Sequence, residues 1–170
     1  MAKKTTQNPL EIIFENQKEL DKHIHKKHNV TYANTKDELI VALGTELAEL
    51  ANEIRCFKFW SVKEPSSDDV IIEEFVDGLH FITAIALAYK MEPEDIKMKK
   101  SKKVNDKKFL NLCIKNLFFD LSILDDKKGI SKWYAQYLIF GQQLGFTTKQ
   151  VLEAYLKKCK INHQRQDNNY

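Results

Sequence analysis

The chain reads as an all-α protein, a helical bundle of about five to six helices. Apolar residues recur at helical spacing in segment after segment, and period-two alternation is nowhere sustained. Only five glycines and three prolines interrupt 170 residues, which suits helices joined by short turns. Leu10 to about His28 forms the first helix. Thr35-Lys-Asp-Glu38 has the form of a capping box and opens a second, which runs to about Cys56. Pro65-Ser66-Ser67-Asp68 breaks the chain and supplies an N-cap for the third, Asp69 to about Lys90. That helix is apolar on nearly every side, so it belongs at the centre of the bundle. A lysine-rich segment, Lys97 to Lys103, leads to a fourth helix near Asp106 to Leu124. Gly129 and Ser131 mark the start of a fifth, which holds Trp133 to Leu144 and stops at Gly145. Thr147-Thr-Lys-Gln150 again has capping-box form and opens a last helix through about Asn162. The polar stretch 163–170 is expected to be a mobile tail.

A chain of this length fits one domain, 1–170, with no internal repeat and no linker. With 30% charged and 43% hydrophobic residues it is globular and can bury a core without disulfides. The three cysteines, Cys56, Cys113 and Cys159, are odd in number and lack CxxC spacing. Reduced thiols in a cytoplasmic protein are expected, and no zinc site. The start MAKKTTQN lacks the apolar run of a signal peptide, and no stretch reaches membrane-spanning length, so no membrane partner is expected. A net charge of +3 gives no reason to expect nucleic acid. The lysines between 97 and 103 carry no interleaved aromatics and read as a solvated connection.

Two acid pairs carry the chemistry. Glu46-x-x-Glu49 lies on the second helix and Glu74-x-x-Asp77 on the third, and a three-residue step sets each pair on one helical face. Leu43, Leu47, Leu50 and Ile54 form the core stripe of the second helix, with Glu46, Glu49 and Glu53 roughly a quarter-turn away at about 100° per residue. Glu74 and Asp77 share a sector with Val70, Phe81, Ala84 and Ala88 and so point inward. Singly, such pairs are ordinary helix-surface patterns. On adjacent helices, both at the edge of apolar faces, they describe a cluster that needs a cation. Hard oxygen donors suit Mg²⁺, or Mn²⁺, and Mg²⁺ usually completes its shell with water and substrate phosphates.

Other residues are read against plainer roles. His23, His25 and His28 lie at a polar helix end, where the helix dipole accounts for them without a metal. His80, three residues after Asp77, is either a substrate contact or a core histidine. Phe57 and Phe59 close the bundle, while Trp60 at a helix end is able to stack on a nucleobase. Lys158, Asn162 and Arg165 fall at i, i+4 and i+7, one face that could meet phosphates.

The ordered set QKELD, ELAELANE with FKFW after it, EEFVDGLHF and a terminal KKCKINHQRQDNNY resembles the all-α dimeric dUTPases, relatives of the MazG-type NTP pyrophosphatases. The likeness covers nearly the whole chain. It implies that Glu46, Glu49, Glu74 and Asp77 hold Mg²⁺, with Glu46 or Glu49 acting as base. It also implies that Lys158, Asn162 and Arg165 grip phosphates, and that Gln17, Trp60 and His80 form the uracil and deoxyribose pocket. The expected reaction is hydrolysis of dUTP to dUMP and pyrophosphate, with dUDP also accepted. The expected assembly is a homodimer, for which the all-round apolar third helix is a second argument. Cys159 stands where the family often has Asn, and Asn169-Tyr170 where it has Gly-Tyr. The rivals are a broader dNTP or dCTP pyrophosphatase on the same scaffold and a non-enzymatic helical interaction protein.

Overall fold

Helix α3 (Asp68–Ala88) runs through the middle of the molecule, because its sequence offers almost no polar face to water. The structure, a computed structural model, describes residues 8–168. Among these residues are five further α-helices and no strand: α1 (Pro9–His28), α2 (Lys36–Ile54), α4 (Lys107–Phe119), α5 (Lys127–Leu144) and α6 (Thr148–Asp167). Helix α3 packs against α2, α6, α1 and α5, with Phe75, Leu79 and Ile82 fully buried. From the other side come Leu43, Leu47 and Leu50 of α2, also fully buried. Each such side chain stabilises the fold by roughly 1.5–3 kcal/mol relative to exposure.

Aromatic residues of α5 fill the remaining space. Trp133, Tyr134 and Tyr137 are fully buried, and each finds a partner for its polar atom. Trp133 Nε1 donates to the Leu117 carbonyl at 2.9 Å, Tyr137 Oη to the Phe75 carbonyl at 2.9 Å, and Tyr134 Oη pairs with Thr83 Oγ1 at 2.7 Å. Tyr137 lies so close over Gly78 that any Cβ there would strike its hydroxyl. Gly78 therefore lets α5 approach α3 one residue after Asp77.

Several helix ends differ from the sequence expectation. The capping box at Thr147 forms, with its hydroxyl accepting from Gln150 N and Gln150 Oε1 accepting from Thr147 N. The one at Thr35 does not: its hydroxyl donates backwards to the Thr31 carbonyl at 3.0 Å. Ser67 likewise gives no side-chain cap, and the hydroxyl of Ser66 goes to Glu53. Helix α5 begins at Lys127 because Asp126 caps it, accepting from Gly129 N at 2.6 Å. Helix α4 ends at Phe119 and passes into a 3₁₀ turn, Asp120–Ile123.

Helix α6 continues beyond Asn162 to Asp167, since its last turns lie along α1. His23 Nδ1 meets His163 Nδ1 at 3.1 Å with the rings stacked, and His28 Nε2 meets Gln166 Oε1 at 2.8 Å. Asn169 and Tyr170 lie outside the described residues.

The apolarity of α3 is satisfied within one chain, so it does not argue for a dimer. Exposed apolar surface lies elsewhere. Arg55, in a left-handed conformation at the end of α2, turns the chain into a segment where Phe59 is 94% exposed. A second patch surrounds the end of α4, where Phe119 is 81% exposed. The lysine-rich segment 97–106 is irregular and largely exposed, tied to α5 by Ser101 N to Gln142 Oε1 and Val104 N to the Gln143 carbonyl. Among the described residues, no helix is long and apolar enough to cross a membrane.

Candidate active site

Helices α1, α2, α3 and α6 enclose a cavity of about 440 Å³. Glu46 and Ala42 line it from α2, Asp77, His80, Phe81 and Ala84 from α3, and Lys158, Asn162 and Arg165 from α6. Gln17 and Asp21 line it from α1, and Tyr32 from the turn that follows. The sequence periodicity that put Asp77 with Phe81 and Ala84 thus describes one wall.

Carboxylate oxygens of Glu46, Glu74 and Asp77 all lie within 4.8 Å of one another. All three residues are partly buried, and burial is the main force on their titration. Burial, then the charges of Asp77, Glu49 and Glu74, pushes the Glu46 carboxyl up to about 7. Glu74 is raised by burial and by Asp77 and Glu49. Asp77 is raised by burial, while Lys158 and Arg165 pull against that rise. Lys158 Nζ reaches Asp77 Oδ2 at 2.5 Å, a largely buried ion pair joining α6 to α3. The donor set fits a hard divalent cation: oxygens only, close together, partly shielded, and mutually repelling without a counter-charge.

Glu49 is exposed and outside the trio, though near enough to raise the carboxyls of Glu46 and Glu74. Glu53, on the same stripe of α2, is held by Ser66.

One helical turn along α3 from Asp77, the cavity changes character. His80 is only 4% exposed and stacks on Tyr155 with ring centroids 4.0 Å apart. Its Nδ1 lies 2.8 Å from Gln17 Oε1, which also accepts from Tyr155 Oη at 2.6 Å. Gln17 Nε2 donates to Asp21 Oδ1 at 2.7 Å, and Tyr32 Oη donates to Asp21 Oδ2 at 2.6 Å. Burial, followed by the charge of Lys158, lowers the His80 pKa to about 3, so the ring is neutral. His80 Nε2 has no hydrogen-bond partner among the described residues.

Asp21, Tyr32 and Tyr155 escaped the sequence reading. Asp21 left one signal, its position four residues after Gln17 on the same face of α1. Tyr32 and Tyr155 left none. Trp60 does not line the cavity; it is 66% exposed and packs edge-on against Phe57 and Phe59.

A helical bundle that sets clustered carboxylates beside a half-enclosed, partly apolar cavity defines a class of acid-lined, metal-competent α-helical proteins. A family model described as dUTPase matches residues 9–170, and the chain belongs to that family, the dimeric all-α dUTPases. A comparison with curated proteins found no match.

Proposed function

We propose that the chain is a divalent-cation-dependent dUTP diphosphatase, hydrolysing dUTP to dUMP and pyrophosphate and dUDP to dUMP and phosphate. The observation that carries this reading is the shared cavity. Glu46 and Asp77 line the same space as Lys158, Asn162, Arg165 and the Gln17–His80 pair. One nucleotide can therefore meet acids, cations and a buried polar pair together.

Glu46, Glu49, Glu74 and Asp77 would hold Mg²⁺, with Mn²⁺ as a substitute. When bound, the ion supplies charge neutralisation at the polyphosphate and Lewis acidity. Lys158 and Arg165 grip phosphate oxygens, Arg165 through its planar fork, and Asn162 also touches the sugar. Water attacks the β-phosphorus, a new O–P bond forms, and dUMP leaves as the bond from its own phosphate oxygen breaks. Glu46 and Glu49 are the carboxylates available to take the water's proton. Gln17 and His80 face the uracil and deoxyribose; Trp60, which lies outside the cavity, would have to move to join them. The last turns of α6 close over the phosphates and exclude water. The working unit is a homodimer, whose interface draws on the exposed aromatics at 57–60 or at the end of α4.

The test is a nucleotide panel with Mg²⁺, following products from dUTP, dUDP, dCTP, dTTP and UTP. The expected result is dUMP from dUTP and dUDP with little turnover of the others. A preference of about tenfold for another dNTP would replace the uracil reading with a broader pyrophosphatase.

A further inference from the structure

The hydrogen bonds behind His80 have a fixed polarity that originates at Asp21. Burial raises the Asp21 carboxyl, and the hydrogen bonds from Tyr32 and Gln17 pull against that rise in favour of the charged form. As an ionised carboxylate it can only accept, so both groups touching it must donate: Tyr32 Oη to Oδ2 at 2.6 Å and the Gln17 amide NH₂ to Oδ1 at 2.7 Å. With its NH₂ committed there, Gln17 must turn its oxygen the other way. That oxygen meets Tyr155 Oη at 2.6 Å and His80 Nδ1 at 2.8 Å, and both must donate to it. A neutral imidazole with a proton on Nδ1 has none on Nε2. Nε2 is buried and has no partner, and His80 is one of the residues that line the cavity. Without the carboxylate at 21, the Gln17 amide is free to flip and the proton free to move.

We propose that Asp21, braced by Tyr32, is a positioning residue that fixes the Gln17 amide and the His80 tautomer, presenting Nε2 to the nucleotide as an obligatory hydrogen-bond acceptor. The ligand group that meets it must be a donor. A uracil imide N–H or a sugar hydroxyl qualifies, whereas the corresponding ring nitrogen of cytosine, itself an acceptor, is repelled. The ligand half of this inference rests on the nucleotide-binding reading above; the tautomer half does not.

The experiment has two arms. In ligand-free protein carrying ¹⁵N-histidine, long-range ¹H–¹⁵N spectra report which His80 nitrogen bears the proton. The expected state is Nδ1–H in the parent, a mixture or Nε2–H in Asp21→Leu, and partial return in Asp21→Asn, whose carbonyl still accepts. Should Asp21→Leu lose its helical content, Asp21→Ala carries the same reading. Nε2–H in the parent, or an unchanged tautomer when the carboxylate is removed, overturns the proposal whatever the substrate is.

In the kinetic arm the parent is compared on dUTP, N3-methyl-dUTP and 2′,3′-dideoxyuridine triphosphate. Loss of about tenfold in kcat/KM with the methylated base identifies the imide as donor, and the same loss with the dideoxy sugar identifies the hydroxyl. In Asp21→Leu that penalty shrinks, and if the imide is the donor so does the preference for dUTP over dCTP. Equal use of all three analogues by the parent overturns the acceptor role.

Discussion

His80 offers the clearest test at the scale of one residue, because burial holds it neutral with a pKa near 3 against an ordinary value of 6.5. A histidine depressed in the folded state favours folding fully above its unfolded pKa. That contribution disappears as pH falls from 6.5 towards 3, at up to about 1.4 kcal/mol per unit. His80→Gln lacks this loss, so the stability gap between parent and variant should change steadily between pH 7 and 4.5 in denaturant titrations. A gap independent of pH would mean the ring is not held neutral. The carboxylates answer to a different measurement. Glu49→Ala and Asp77→Ala should each abolish Mg²⁺-dependent turnover with the helical circular dichroism retained; Glu49→Ala should keep the parent's stability, whereas Asp77→Ala also strips Lys158 of its buried partner and should melt earlier. Near-normal turnover in either variant would show that the cluster is misassigned.

At the scale of the helix, Gly78 links packing to chemistry. Gly78→Ala must move Tyr137 or tilt α3, at a cost of about 1–3 kcal/mol, and it displaces the neighbouring Asp77. Thermal melts should show the lost stability, and kcat should fall with it; an unchanged melting temperature would mean the two helices separate freely. The end of α6 makes a second test. Arg165→Ala should lower kcat/KM by about 2–4 kcal/mol in transition-state terms without a matching loss of stability, and unchanged kinetics would leave α6 a structural helix only. Helical periodicity made the elements themselves legible: Leu43, Leu47 and Leu50 of α2 are all buried as their spacing requires. The inward turn of Asp77 and the far extent of its wall were legible for the same reason. Helix ends were less so, because Thr35 had a nearer carbonyl to bond and α6 was prolonged by histidines of α1 more than a hundred residues away. The buried network around Gln17 joins four separate stretches of chain, and no local pattern encodes contacts of that range.

For the whole molecule, the expected solution state is a dimer, measured as mass by light scattering at micromolar concentration. A fully active monomer would refute it. Phe59→Glu and Phe119→Glu separate the two exposed patches, and the variant that shifts the mass towards one chain marks the interface. The Lys158–Asp77 pair has a consequence for how this assembly fills. Lys158 is a cation on a tether, and in the ligand-free chain it already occupies part of the charge that Mg²⁺ would balance. On the proposed reading, metal would displace it, and the displaced ammonium would then be available to phosphate. The two ligands therefore recruit each other: each should bind weakly alone and tightly in the other's presence, a coupling that is equal in both directions. Lys158→Met removes the internal competitor. Mg²⁺ affinity measured calorimetrically without nucleotide should then rise, while the gain in metal affinity that a non-hydrolysable dUTP analogue confers should shrink.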